Sequence, residues 1–432
     1  MVNEKHALEG LRVLDFTWVY AGPFASRQFV DLGAEVIKVE PVRTGALERH
    51  YSLVMERNGV SQSSYATFLN RGKKSLSIDL KNEKGAQIIY ELVRRTDIIL
   101  ANMAPGAMKH MKLGYEDFKK IKPDIIYCNI SCFGHTGSHA NDAGFDLIAQ
   151  VASGWCGQCD PPASAPMAVG DSNAAIHATT AVLAALYYRE KTGRGQEIDI
   201  SMTDCLFHCQ ENMGPGYLFS HRKVLPKRHT RWSPAYSPYA LLKGKDGYLA
   251  IAAISDILWK KLVRAMGPDY EWLLTHEQTN ELAKRISYAN APFVHATLED
   301  WLQRFDHVED IEKQLRDAGV PAMKVRGFEE ICDAPYIKDR NMLFKINQPF
   351  VGEIEIYNSP FRMSETPGTV KGYAPFIGEN NREILSVQLG YSDEAIDKLF
   401  AEGVIYKEDA VDRLPEELKR LTGSLENDKD HQ

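Results

Sequence analysis

Apolar residues fall in two different rhythms along the first two hundred positions. Short runs dense in Val, Ile and Leu, namely LRVLDF (11–16), EVIKVE (35–40), SLSIDL (75–80), DIILAN (97–102) and DIIYCNI (124–130), predict strands. Between them, PFASRQFVDLG (23–33) and EKGAQIIYELVRR (83–95) space their apolar residues at the helical interval, and the second ends on two arginines. Strands alternating with helices predict a parallel sheet with crossover helices: an α/β fold with a Rossmann-like, doubly wound large domain.

The pattern changes after residue 165. PMAVGDSNAAIHATTAVLAALYYREKTGRGQEIDISMTD (166–204) opens an Ala-rich helix at Gly-Asp-Ser-Asn, closes it at Gly193 to Gly195 and resumes a strand at EIDISM, with helical sequence continuing to about 220. HRKVLPKRHTRWSPAYSPY (221–239) is basic and Pro-rich and reads as a linker, and YALLKGKDGYLAIAA (239–253) as a hairpin around Lys245-Asp246-Gly247. Helical sequence then runs to about 320, and strands, prolines and turns from Val320 to Tyr406 precede a last helix and a polar tail. This predicts the first part of the large domain over 1–220, a linker and smaller α+β domain over 221–325, and a return to the large domain with C-terminal helices over 326–432.

A chain of 432 residues, 44% of them hydrophobic, exceeds one compact core and agrees with that division. A net charge of −7 argues against nucleic acid as a partner. No apolar stretch is long enough to cross a bilayer and MVNEKHALEG lacks the features of a signal peptide, so no membrane partner and a cytoplasmic location are expected. Seven irregularly spaced cysteines, including Cys156-Gly-Gln-Cys159 and Cys205-Leu-Phe-His-Cys209, read as reduced thiols, with no metal site. Neither G-x-G-x-x-G nor G-x-x-x-x-G-K-[ST] occurs, so the Rossmann-like topology carries no implication of NAD or a nucleoside triphosphate.

Asp171, in the Gly-Asp-Ser-Asn turn, falls at or just before a helix N-terminus, where free backbone N–H groups favour negative charge. It is either a plain N-cap or a carboxylate kept ionised beside N–H donors suited to an oxyanion, as acyl transfer requires. Spacing alone leaves both open.

Ordered motifs along nearly the whole chain decide between them. LEGLRVLDFTWVYAGPFASRQFVDLGAEVIKVEP, NRGKKSLSIDLKNEKG (70–85), NMAPGAMKHMKLGY (102–115), GFDLIAQVASG (144–154), VGDSNAAIHA (169–178), TGRGQEIDISM (192–202), AGVPAMKV, NSPFRMSETP and APFIGENNREIL together resemble the class III CoA-transferases, which include formyl-CoA and crotonobetainyl-CoA transferases. The resemblance implies that Asp171 is a nucleophile and that Tyr20, Ala21, Ile78, Lys81, Asn102, Met103, His110 and the stretch Ser131 to Gly134 contact coenzyme A. Arg71, Lys73 and Lys74 would join Lys81 at the phosphates. It also implies an interlocked homodimer acting on an acyl-CoA donor and a carboxylic acid acceptor, with coenzyme A a substrate and no cofactor permanently bound. His110 stands where arginine is frequent, Tyr20 where formyl-CoA enzymes have glutamine, and Ala46 where aspartate is usual. The glycine-run loop of formyl-CoA transferases is not evident between 221 and 260, so formyl-CoA and oxalate are disfavoured.

The implied reaction begins with Asp171 attacking the donor thioester to form a mixed anhydride and CoA thiolate. The thiolate then gives an aspartyl-CoA thioester, which the acceptor carboxylate opens through a second anhydride. The nearest rival, an α-methylacyl-CoA racemase, exchanges an α-proton through a histidine placed before the aspartate of Gly-His-Asp. That place holds Phe145 in Gly144-Phe145-Asp146, which cannot transfer protons. A second rival is an acyl-CoA binding subunit of a heteromeric transferase, which would lack the nucleophile that Asp171 supplies. His135, His139 and His177 read as polar surface or helix residues. Trp18, Tyr20, Trp155, Trp232 and Tyr236 form either an aromatic acyl pocket or core packing.

Overall fold

Five apolar runs and the EIDISM strand pair side by side into one parallel sheet. In the computed structural model, which describes residues 6–57, 60–211, 213–225, 227–233 and 236–408, these are β1 (Arg12–Phe16), β2 (Glu35–Glu40), β3 (Lys74–Ser77), β4 (Ile98–Ala101), β5 (Ile126–Ser131) and β6 (Gln196–Ser201). Their spatial order is β3-β2-β1-β4-β5-β6, every pairing parallel. That is the doubly wound order, and its direction reverses between β1 and β4. The register Phe16↔Ala101 brings the residues just past the two strands level with each other. A crevice beyond the C-terminal ends of these strands is where such sheets bind ligands.

Burial on both faces explains why the strands are nearly continuous Val, Ile and Leu. On one face, Ile37, Leu76, Ile88, Ile89, Leu92, Ile99 and Tyr127 share a core with Ile384, Leu385 and Leu399 from the end of the chain. The crossover helix α1 (Ala21–Asp31) follows β1 directly, and a Cβ on its Gly22 would lie 2.1 Å from Thr17 Cβ. Only glycine lets the helix start so close to the loop that feeds it. Two antiparallel strand pairs complete this unit: Val54–Arg57 with Val60–Ser63, where the sequence pattern signalled no strand, and Leu343–Gln348 with Gly352–Tyr357, within the stretch where strands and turns are expected.

The chain divides into two compact units: residues 1–153, 166–208 and 335–432, and residues 154–165 with 209–334. The divisions expected after 220 and 325 thus stand at 208 and 334, and the excursion 154–165 clusters with the second unit. That unit holds a three-stranded antiparallel sheet of β7 (Tyr239–Lys243), β8 (Tyr248–Ala252) and β9 (Ala322–Lys324) in the order β9-β8-β7. The turn between β7 and β8 is closed by Gly244 N–H donating to Gly247 O at 2.8 Å. Trp259, Leu262, Leu298 and Trp301 fill its core. The polar tail GSLENDKDHQ lies outside the described residues.

Candidate active site

Asp171 sits in the first turn of α3 (Val169–Thr192), a 24-residue helix that ends at Gly193, where φ is +70°. It is not that helix's N-cap. The N-cap is Ala168, with no side-chain hydrogen bond, and the free N–H groups of Gly170 and Asp171 both donate to Oδ1 of Asp146, at 2.7 and 3.1 Å. Asp146 opens a different helix, α2 (Asp146–Ala152), and its Oδ2 accepts from Gln150 Nε2 at 2.6 Å. A Cβ at Gly170 would come within 2.9 Å of Asp146 Oδ1, so glycine is needed for this close approach. The borrowed cap leaves the Asp171 carboxylate available for other work.

That carboxylate is half-buried and accepts the backbone N–H of Ala21 at the start of α1. Burial, reinforced by the neighbouring Asp146 charge, pushes its pKa up to about 7 against the opposing Ala21 hydrogen bond. Tyr65, on Ser64–Asn70, is pushed above the ordinary tyrosine range by burial and by Asp171, and its ring lies 5.7 Å from that of Tyr20. The buried Cys132 thiol is raised by burial and, more weakly, by Asp171 and Asp146. Asp171 therefore faces an N–H donor, a carboxylate, a phenol and a thiol, all carried by the large unit.

The loop between β1 and α1 is fastened to its neighbours by side chains. Asn102, just past β4, accepts Trp18 N–H on Oδ1 and donates from Nδ2 to Trp18 O, both at 2.7 Å. Its amide therefore bridges the strand-order switch. Behind the loop lies a network of buried charge that the sequence reading did not anticipate. Lys38 pairs with Glu48 at 2.8 Å, Arg49 with Glu40 at 2.7 Å, and Lys73 with Asp15 at 3.1 Å. The outward signal was two charged residues on one face of EVIKVE, a strand otherwise fit only for a core.

The residues assigned to coenzyme A gather at strand ends. Tyr20 and Ala21 follow β1, Asn102 and Met103 follow β4, and Ser131 ends β5, where its Oγ accepts Gly134 N–H at 2.9 Å. Ile78 follows β3, but its side chain is 1% exposed in the core. Lys81 is exposed. Met103 and His135 line a cleft of about 630 Å³ together with Lys109, Lys112, Tyr115, Asn129 and Glu197, a size suited to a small ligand. His110, exposed on Ala107–His110, is not among the lining residues.

Three basic residues expected at the phosphates are used elsewhere. Arg71 is fully buried against Asp31 at 2.7 Å and Lys73 against Asp15, because each of those buried carboxylates requires a countercharge. Lys74 pairs with Glu35 and Glu383 at 2.8 and 2.7 Å. Phe145 precedes α2 and is 65% exposed. His139 pairs with Asp142, and His177 Nδ1 meets its own helix at Asn173 O. Trp18 and Tyr20 belong to the unit that carries Asp171. Trp155, Trp232 and Tyr236 belong to the other, where the Trp232 ring lies 4.8 Å from that of His295, tilted by 37°. Among the described residues no disulfide joins the cysteines.

Known proteins resemble this chain along most of its length. It is 30% identical to the succinyl-CoA:glutarate CoA-transferase of Mus musculus, over 92% of this chain and 90% of that protein. It is 34% identical to the succinyl-CoA:mesaconate CoA-transferase of Haloarcula hispanica, over 88% and 96%. The crystal structure of a CAIB/BAIF family protein from Brucella suis matches with a TM-score of 0.77 at 30% identity, covering 88% of this chain and 99% of that one. The family model for CoA-transferase family III matches residues 8–381. The chain thus belongs to CoA-transferase family III.

Proposed function

We propose that this enzyme moves coenzyme A from a short dicarboxylyl-CoA donor, with succinyl-CoA the first choice, to a carboxylic acid acceptor, with Asp171 as the covalent nucleophile. The observation that carries the reading is the setting of Asp171: a carboxylate in the first turn of a helix whose N–H groups are capped by another residue, aimed at the Ala21 N–H. Attack on the thioester carbonyl forms the Asp171–acyl anhydride and releases CoA thiolate. The thiolate attacks the aspartyl carbonyl, releasing the donor acid and leaving an Asp171–CoA thioester. The acceptor carboxylate opens that thioester, and the returning thiolate takes the acyl group from the second anhydride. When the aspartyl carbonyl is attacked, the Ala21 N–H that bonds the Asp171 carboxylate would stabilise the oxyanion charge that develops there. The ionised form of Asp171 attacks without a general base, and a pKa pushed up to about 7 makes the fraction in that form depend on pH near neutrality.

Names of relatives support succinyl-CoA as donor, since those from mouse and Haloarcula are both described by it. Tyr20, Ala21, Ile78, Lys81, Asn102, Met103, His110, Ser131 and Gly134 are proposed to contact coenzyme A, with side chains or backbone along the strand ends. A homodimer is supported by apolar side chains left exposed on or next to the two helices that carry Asp146 and Asp171, including Phe145, Leu147, Val151, Ile176 and Tyr187, which a second copy would cover.

Mass spectrometry after mixing the enzyme with succinyl-CoA and quenching with hydroxylamine tests this. A hydroxamate confined to the peptide containing Asp171, absent in Asp171→Ala, is the expected result. No adduct, accompanied by α-proton exchange into deuterated water, would replace the transferase mechanism with racemisation.

A further inference from the structure

The loop that delivers Ala21 to Asp171 is held at three consecutive residues by three side chains from elsewhere in the large unit. Lys38 Nζ donates to Thr17 O at 2.6 Å, Asn102 takes both polar groups of Trp18, and Glu48 Oε2 accepts Val19 N–H at 3.0 Å. Val19 has φ +68°, a conformation that a β-branched residue adopts only when its surroundings impose it. Glu48 is bound on both oxygens, since Oε1 also accepts from Lys38 at 2.8 Å and from Asn70 Nδ2 at 3.2 Å. The Lys38 and Glu48 side chains are 1% and 0% exposed.

A sealed ion pair is a poor way to stabilise a fold, because apolar side chains of the same volume usually do as well or better. A role in fixing geometry is the stronger explanation, and here the geometry fixed is that of the strained residue two positions before the N–H that meets Asp171. We propose that Glu48, charge-balanced by Lys38, is a positioning residue for acyl transfer: it holds Val19 in its left-handed conformation and so keeps the Ala21 N–H aimed at Asp171. The proposal rests on Asp171 being the nucleophile. Glu48 touches neither the reacting atoms nor substrate in this scheme.

Three variants separate positioning from bulk stability. Glu48→Gln with Lys38→Met removes both buried charges but keeps an oxygen for Val19 N–H. Glu48→Met with Lys38→Met removes the charges and the acceptor. Glu48→Asp keeps both charges, and hence the fold, while drawing the carboxylate back from Val19. The readout is the rate of hydroxylamine-trapped adduct on Asp171 as a function of pH, with Asp146, Tyr65 and Cys132, the titratable groups around Asp171, unchanged in all. The Met pair and Glu48→Asp are expected to form adduct about 10- to 100-fold more slowly than the Gln pair, with KM for acyl-CoA little changed. Their acid limb should also move upward in pH, because the ionised carboxylate has lost its donor. Equal rates and limbs for Glu48→Asp and wild type, or an effect on KM alone, would overturn the positioning role. Absence of adduct in wild type would instead refute Asp171 as nucleophile, which keeps the two failures distinct.

Discussion

Asp146 grips Asp171 by its backbone while opposing it by charge. The Asp146 Oδ1 oxygen accepts the Asp171 N–H at 3.1 Å and that of Gly170 at 2.7 Å, and the same carboxylate helps burial push the Asp171 pKa up to about 7. One residue thus fixes where Asp171 stands and adjusts how readily it ionises.

These two effects separate in Asp146→Asn. The asparagine Oδ1 can still accept both N–H groups, and Gln150 can turn its amide oxygen toward the new Nδ2, so the helix start survives while the negative charge goes. Adduct formation needs ionised Asp171, so its rate in wild type should fall as pH drops below about 7. In the variant that fall should begin roughly one pH unit lower. Rapid-quench measurement of the Asp171 adduct between pH 5 and 8.5 reads the limb directly, and an unmoved limb would mean that burial alone raises Asp171.

The same displaced pKa has a signature in stability. Asp171 has an ordinary value of 3.8 and a folded one of about 7, so the folded state binds its proton more tightly than the unfolded state. Folding is therefore penalised as pH rises from about 4 through 7, and the penalty is complete above 7. Asp171→Asn removes it. Urea unfolding should show the variant more stable than wild type by roughly 2 kcal/mol at pH 8, after discounting for a half-buried group, with the difference fading toward pH 4. A difference that ignores pH would refer it to packing instead. A gain in stability with loss of activity is the usual mark of a site held in a costly state for function.

How much of this could be read from the chain depended on range. The five apolar runs became five strands because a buried parallel strand must be apolar on both faces, and the turn at Lys245-Asp246-Gly247 is a local matter of four residues. Asp171 was placed correctly near a helix start, but its freedom from capping depends on Asp146, 25 residues upstream, which no local pattern encodes. The Lys38–Glu48 pair is hidden for the same reason: a charge inside a strand, such as Lys38, declares only that a partner exists, and its partner lies outside the strand on Leu47–His50. The excursion of residues 154–165 into the second unit has no composition of its own to announce it.

Arg71 and Lys81 stand ten residues apart in a basic stretch, and the structure gives them opposite surroundings. Arg71 is sealed against Asp31, two bonds joining guanidinium and carboxylate at 2.7 and 3.1 Å, whereas Lys81 is exposed past the end of β3. Arg71→Met strands a buried carboxylate and should cost about 3–5 kcal/mol, and adding Asp31→Leu should recover much of that loss by removing the orphaned charge. KM for acyl-CoA should stay unchanged in the folded fraction. Lys81→Ala should do the reverse, leaving the urea midpoint where it is and raising KM for acyl-CoA several-fold, more steeply at low salt, where an exposed cation acts most strongly on phosphate. Calorimetric titration of coenzyme A into both variants, beside their unfolding curves, tests the division. If Arg71→Met weakens binding at intact stability, the pair with Asp31 has been assigned the wrong role.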